Sequence, residues 1–268
     1  MHEYCFFVDS VVRPTEAGVS LNVLFSASAL YGKGIFTTAR VKQGRIFLWE
    51  KHWDRLLVAS KKLRMEVDQS ESFVKAALDR LIVANKVDEG RTKITILDIS
   101  ANPFWIAKGP NKYFLLITTS DPRPIPDRFL LTKSPFLVNS TSPLAGLKSC
   151  NYLEQLMAFA DAKSVHFDEA IRCNELGYVA SACMANVFWE NDGRLFTPSL
   201  VTGCLAGTTR EFVLENLECA EVEAGIDAIE AADRIFLTSA GIGVVAAAEF
   251  NGRKLDTSNH PILNLIPN

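Results

Sequence analysis

The sequence predicts an α+β fold in two domains, a smaller N-terminal one and a second built on a curved or barrel-like sheet with helices. Three observations carry this. Helical and alternating apolar periods are mixed within each half of the chain. Glycine turns crowd the strands of the second half too closely for the crossover helices of a doubly wound parallel sheet. Between the halves, Asp121-Pro122-Arg123-Pro124-Ile125-Pro126-Asp127 sets proline at alternate positions, which forbids a helix and favours an extended linker. The expected domains are residues 1–119 and 128–268, with 120–127 as the linker.

In the first half, residues 35–41 and 46–49 read as strands around the turn Lys42-Gln43-Gly44-Arg45. Leu56, Leu57, Ala59, Ser60 and Leu63 carry a helical pattern. A second helix is expected from Asp68, with Glu71 as its capping-box partner. Its apolar stripe is Phe73, Val74, Ala77, Leu78, Leu81 and Ile82. Ile94, Ile96 and residues 113–118 return to strand.

The second half opens with a strand at 129–132 and a polar loop at 139–146. A helix follows from Asn151, with Leu153, Leu156, Met157 and Ala160 spaced as one buried face. Asn174-Glu175-Leu176-Gly177, Asn191-Asp192-Gly193 and Asn251-Gly252 mark tight turns, the last two being good hairpin signals. Gly207-Thr208-Thr209-Arg210 opens another helix through Phe212, Val213 and Leu217.

The 268 residues are 48% hydrophobic and 22% charged, which excludes disordered and disulfide-scaffold classes. A net charge of -3 supplies no basic field for nucleic acid. The longest apolar stretch, 235–250, is interrupted by Thr238 and Ser239, so no membrane span is expected. The N-terminus lacks the basic and apolar regions of a signal peptide. Six scattered cysteines without a Cys-x-x-Cys pair read as reduced thiols of a cytoplasmic protein, and four isolated histidines give no metal-ligand spacing.

Among candidate functional residues, Lys148 stands out. It lies between Ala145-Gly146 and Ser149-Cys150 at a loop-to-helix junction, where partial desolvation would lower its pKa and make the amine a nucleophile. A solvated surface lysine is the competing reading. At Gly207-Thr208-Thr209, backbone N–H groups, two hydroxyls and the helix dipole can receive an anion, though an ordinary cap looks the same in sequence. Arg55 can reach a phosphate from its helix. Gly32-Lys33-Gly34 lacks the ending of a phosphate loop and reads as a turn. Cys150, Cys183 and Cys204 have no identifiable base and read as small buried side chains.

Together these segments resemble the class IV aminotransferase family, the fold-type IV enzymes dependent on pyridoxal 5′-phosphate (PLP). The resemblance spans nearly the whole chain. It rests on Gly34-Ile35-Phe36-Thr37-Thr38-Ala39-Arg40, His52-Trp53-Asp54-Arg55-Leu56, Leu147-Lys148-Ser149-Cys150-Asn151-Tyr152-Leu153-Glu154, Asp168-Glu169-Ala170, Gly177-Tyr178-Val179, Ala185-Asn186-Val187-Phe188 and Gly207-Thr208-Thr209-Arg210. It implies that Lys148 holds PLP covalently and then serves as acid and base. Arg55, Thr208 and Thr209 would take the cofactor phosphate, and Leu205 would pack against the pyridine ring. The second phosphate-side loop corresponds to Thr238-Ser239-Ala240-Gly241. Ala240 lacks the hydroxyl of the branched-chain transaminases, so a contact there would come from Ser239 or from backbone.

One departure matters. The family usually sets a glutamate against the pyridine nitrogen, and here that position is Ser181. A neutral hydroxyl cannot favour a protonated ring as a carboxylate does, which weakens the cofactor as an electron sink and disfavours transamination. Within the family, Phe36-Thr37-Thr38-Ala39-Arg40, Leu144-Ala145-Gly146-Leu147-Lys148 and Cys183-Met184-Ala185-Asn186-Val187-Phe188-Trp189 are similar to the 4-amino-4-deoxychorismate lyase subgroup. That implies release of pyruvate from a small-molecule amine to form 4-aminobenzoate in the folate pathway, with Thr38 assisting the leaving group. A branched-chain or D-amino acid transaminase and a catalytically impaired PLP-binding protein are the alternatives. Arg91, Lys93 and Lys108 are unranked candidates for gripping substrate carboxylates. The family also implies a homodimer.

Overall fold

The computed structural model describes residues 1–16, 21–100 and 112–266. The chain divides into two compact units, Met1–Arg123 with Lys148–Tyr152, and Pro124–Leu147 with Leu153–Asn268. The segment around Lys148 falls inside the 128–268 expected for the second domain, yet it clusters with the first unit. Backbone pairing accounts for this: Phe36 N–H donates to the Lys148 carbonyl at 2.9 Å, and Cys150 N–H to the Gly34 carbonyl at 2.8 Å.

Both units are α+β, as the sequence predicts. The first contains β1 (Cys5–Phe7), β2 (Ser10–Val12), α1 (Ala27–Tyr31), β3 (Gly34–Lys42), β4 (Arg45–Ile46), α2 (Trp49–Lys62), α3 (Glu71–Ala84), β5 (Gly90–Asp98) and β6 (Tyr113–Ser120). Among the described residues its strands form one antiparallel sheet in the order β2-β1-β6-β5-β3-β4. α3 lays Val74, Ala77, Leu78, Leu81 and Ile82 into the core as its period requires, while Phe73 at the edge of the stripe stays exposed.

Two boundaries differ from expectation. The strand expected at 46–49 ends at Ile46, because Leu48 turns left-handed (φ 55°) and Trp49 opens α2. The reason is an apolar stripe that begins before Leu56: Trp49, His52, Trp53, Leu56, Ala59 and Ser60 are the buried positions of that helix. The cap expected at Asp68 is supplied by Ser70, whose hydroxyl accepts from the Phe73 N–H at 3.2 Å. Glu71 accepts from Trp49 Nε1 at 2.7 Å instead of closing a capping box.

The second unit contains β7 (Leu130–Lys133), α4 (Leu153–Ser164), β8 (Glu169–Cys173), β9 (Val179–Ala182), β10 (Asn186–Asn191), β11 (Arg194–Pro198), α5 (Thr208–Asn216), β12 (Ala220–Val222), α6 (Ile226–Glu230), β13 (Arg234–Ser239), β14 (Gly243–Ala246), β15 (Glu249–Phe250), β16 (Arg253–Lys254) and α7 (Pro261–Asn264). Its strands make two sheets, β12-β11-β10-β13-β14 and β16-β15-β7-β8-β9. Leu131, Ile171 and Val179 from one sheet share a core with Val187, Trp189, Ile235 and Leu237 from the other. A single interior wrapped by both sheets is the expected curved, barrel-like arrangement. Asp192-Gly193 and Asn251-Gly252 turn the two hairpins, with Asp192, Gly193, Asn251 and Gly252 all at positive φ.

α4 overturns one expectation. Leu153, Leu156, Met157 and Ala160 are exposed, and the buried residues are Ala158 and Ala162, packed with Ala170 and Cys183. Small side chains on the inner face let this helix lie close to β8, so its larger apolar residues turn outward. No helix among the described residues is long and apolar enough to cross a membrane.

Candidate active site

In the first unit β3 sorts the site residues by alternation. Ile35, Thr37, Ala39 and Val41 point to one face and are fully buried, while Phe36 and Thr38 share the other. Thr38, partly exposed, is the cross-strand partner of Lys93 on β5. A backbone bridge from Ile35 to Ser149 holds the Lys148 segment against the same strand.

The Lys148 amine lies 4.7 Å from the Phe36 ring centroid and 5.1 Å from that of Tyr152, with Nζ 3.4 Å from the Tyr152 hydroxyl. Lys93 Nζ sits over the same Phe36 ring at 4.3 Å. Burial, reinforced by the positive charges of Arg55 and Lys93, pushes Lys148 down from 10.5 to about 7. A substantial fraction of the amine is therefore unprotonated and nucleophilic at neutral pH, as the sequence context suggested.

Arg55 projects from α2 and donates through a guanidinium N–H to Thr37 Oγ1, which also bonds His52 Nδ1 at 2.8 Å. Arg55 also approaches His52 Nδ1 at 3.4 Å, and because a guanidinium only donates, Nδ1 is the acceptor there and the imidazole is neutral. The pKa agrees: burial first, then Arg55 and Lys148, hold His52 well below its ordinary value. The sequence places Thr37 and His52 inside family-like motifs without giving either a role of its own. The signal was there, because His52 and Arg55 are three residues apart and therefore neighbours on one helix face.

The second unit carries an anion-receptive helix end. α5 starts at Thr208 after Gly207, which brings no side-chain cap, and Thr208 and Thr209 are buried. Leu205, partly exposed, has its carbonyl held by Asn186 Nδ2 at 2.8 Å. Ser239, at the end of β13, accepts from the Gly241 N–H at 3.3 Å and keeps its own proton for donation. Ala240 follows in the turn and is partly exposed. The Thr238 hydroxyl is buried without a hydrogen-bond partner. Ser181 on β9 faces Arg172 on β8 as its cross-strand partner. The buried Arg172 donates to the Phe136 and Leu137 carbonyls at 3.1 and 2.7 Å, so a cation occupies the sheet position beside Ser181.

Residues 34–250 match the family model described as amino-transferase class IV. The chain belongs to the class IV aminotransferase family. It is 30% identical over 233 residues to the aminodeoxychorismate lyase of Bacillus subtilis (strain 168), covering 82% of this chain and 78% of that one. Its fold is similar to that of a putative 4-amino-4-deoxychorismate lyase from Legionella pneumophila, with TM-score 0.82 and 24% identity over 93% of each chain. It is also similar to the branched-chain aminotransferase of the thermophilic archaeon Thermoproteus uzoniensis with norvaline, with TM-score 0.89 and 22% identity over 99% of this chain and 92% of that one.

As a class IV, fold-type IV enzyme the chain takes PLP as its cofactor and a small-molecule amine as its substrate. The residues present fit that group. An amine held near neutrality suits an aldehyde, and a helix end without a side-chain cap, beside an unpartnered Thr238 hydroxyl, suits a phosphate. All six cysteines are free thiols. Cys183 is pushed up to about 12 by burial and by Glu169, and burial also raises Cys150 and Cys204, which leaves these thiols protonated.

Proposed function

We propose that this chain is a 4-amino-4-deoxychorismate lyase, releasing pyruvate and leaving 4-aminobenzoate, a folate precursor. Ser181 facing Arg172 is the observation that carries the lyase reading over the transaminase one. A site with no carboxylate at that position leaves the cofactor a weak electron sink, which elimination tolerates because its product is aromatic. The similarity to the Bacillus subtilis lyase supports the same reading.

When bound, PLP supplies an electrophilic carbonyl and a conjugated acceptor for electrons. Lys148 would hold it, and the same side chain would serve as base and acid toward the bound substrate amine. Its neutral amine would then remove the ring proton on the amine-bearing carbon itself, next to the carbon that carries the enolpyruvyl ether. That C–H electron pair becomes a ring double bond as the C–O bond to the enolpyruvyl group breaks, and the leaving oxygen departs as the enolate of pyruvate. Thr38 orients that group or donates to it. Arg55, Thr208, Thr209 and Ser239 would hold the phosphate, with Ala240 offering backbone only. Leu205 would pack against the cofactor ring, and Ser181 would stand where the family sets a carboxylate. Lys93, sharing the Phe36 ring with Lys148, is the cation that meets a substrate carboxylate. Arg91 is engaged by the Asp121 carbonyl at 2.9 Å, and Lys108 lies outside the described residues.

The family's homodimer is part of this proposal. Its support is the outward apolar stripe of Leu153, Leu156 and Met157 on α4, the kind of surface association covers.

Pyruvate release from 4-amino-4-deoxychorismate, followed by lactate dehydrogenase and NADH, is the test. Thr38→Val is expected to lower kcat by about 100-fold with little change in KM, and Thr38→Ser to restore most of it. A protein that forms glutamate from 2-oxoglutarate with branched-chain or D-amino acids, and no pyruvate, is a transaminase instead. One that takes up PLP and does neither is an impaired binding protein.

A further inference from the structure

The Asn186 side chain touches the turn ahead of α5 at both ends. Nδ2 donates to the Leu205 carbonyl at 2.8 Å, and that carbonyl also accepts from the Gly207 N–H at 2.8 Å. Oδ1 packs against Gly207 so closely that a Cβ there would lie 2.0 Å from it. Asn186 is 5% exposed and stands at the first position of β10, paired with Thr238 of β13. Directly opposed residues of an antiparallel pair point to the same face. The unpartnered Thr238 hydroxyl therefore lies on the sheet face that carries the Asn186 clamp.

We propose that Asn186 is a positioning residue for anion recognition: its amide sets the Leu205–Ala206–Gly207 turn and so aims the first N–H groups and hydroxyls of α5 at a phosphate. Only a glycine at 207 leaves room for Oδ1, and only an amide of this length can both donate to the Leu205 carbonyl and fill the space against Gly207. Aspartate, serine or alanine at 186 each loses one grip or both. The inference rests on the phosphate role proposed above for Thr208 and Thr209, and adds the residue that holds them in register.

The test compares PLP with pyridoxal, which presents the same aldehyde to Lys148 without a phosphate. Apo-protein is titrated with each, and dissociation constants are read from the absorbance of the bound chromophore. For the wild type, PLP is expected to bind at least about 100-fold more tightly than pyridoxal. In Asn186→Ala, PLP affinity falls about tenfold while pyridoxal affinity holds, so the ratio shrinks. The isosteric Asn186→Asp, which fills the same space, is expected to shrink it further by placing a carboxylate near the anion; it carries the test if the alanine variant does not fold. Equal losses for both ligands, or no loss for either, overturn the proposal. A wild type that does not prefer PLP overturns the phosphate site itself, an outcome visible before any variant is made.

Discussion

Thr37 Oγ1 and His52 Nδ1 are joined by a buried 2.8 Å hydrogen bond whose direction is set by a third group. Arg55 donates to Thr37 Oγ1 and its guanidinium also lies 3.4 Å from Nδ1, so protonating Nδ1 would set it against a group that can only donate.

The consequence is a pH dependence of stability. The folded chain holds His52 well below 6.5, so on acidification the unfolded chain takes up that proton first. Stability from this group is complete above about 6.5 and declines as pH falls below it. Thermal melts of apo-protein between pH 7.5 and 5 are expected to drop more steeply for the wild type than for His52→Gln. Parallel slopes would count against the assignment.

Lys148 acts in a higher window. A cation whose pKa falls from 10.5 to about 7 on folding makes the apo-protein gain stability as pH rises from about 7 towards 10.5. Its reactivity follows the neutral fraction, so the rate of PLP capture should rise to half its maximum near pH 7. Replacing Arg55 by Met removes one of the charges that depress it and is expected to move that midpoint upward. Lys148→Ala should abolish covalent capture altogether.

Restoring the carboxylate tests why this chain favours elimination. Ser181→Glu is expected to speed the transamination half-reaction with an amino acid by on the order of tenfold, followed as loss of the PLP absorbance. The new charge faces Arg172, and part of its effect will be absorbed there. A variant with no gain in that half-reaction would remove the ring-nitrogen argument.

Gly207→Ala forces a methyl group against Asn186 Oδ1. The expected cost is about 2–3 kcal/mol, read as a fall of several degrees in Tm. Asn186→Ala in the same chain opens the space, so the double variant should melt higher than Gly207→Ala alone. Additive losses would mean the two residues do not meet.

Much of the fold could be read from local pattern. The alternation over 35–41, the stripe of α3, the Asp192-Gly193 and Asn251-Gly252 turns and the proline run at 122–126 each depend on neighbours in sequence. Where reading failed, a distant element had intervened. The apolar residues of α4 look like a core face until Ala158 and Ala162 are seen to fit closely against Ala170 of β8. Trp49 looks like a strand residue until its stack with Trp53, ring centroids 5.9 Å apart, ties it to the helix.

The sequence alone determined the two-part α+β plan and put forward the lysine, the arginine and the threonine-led helix start as candidates, because residue type and spacing are local properties. Only the tertiary structure decided what those groups are in solution. The amine at 148 is brought near neutrality by burial and by two cations distant in the chain, and Arg55 is aimed by a hydroxyl from β3. Electrostatics and packing act through space, and no stretch of sequence records them.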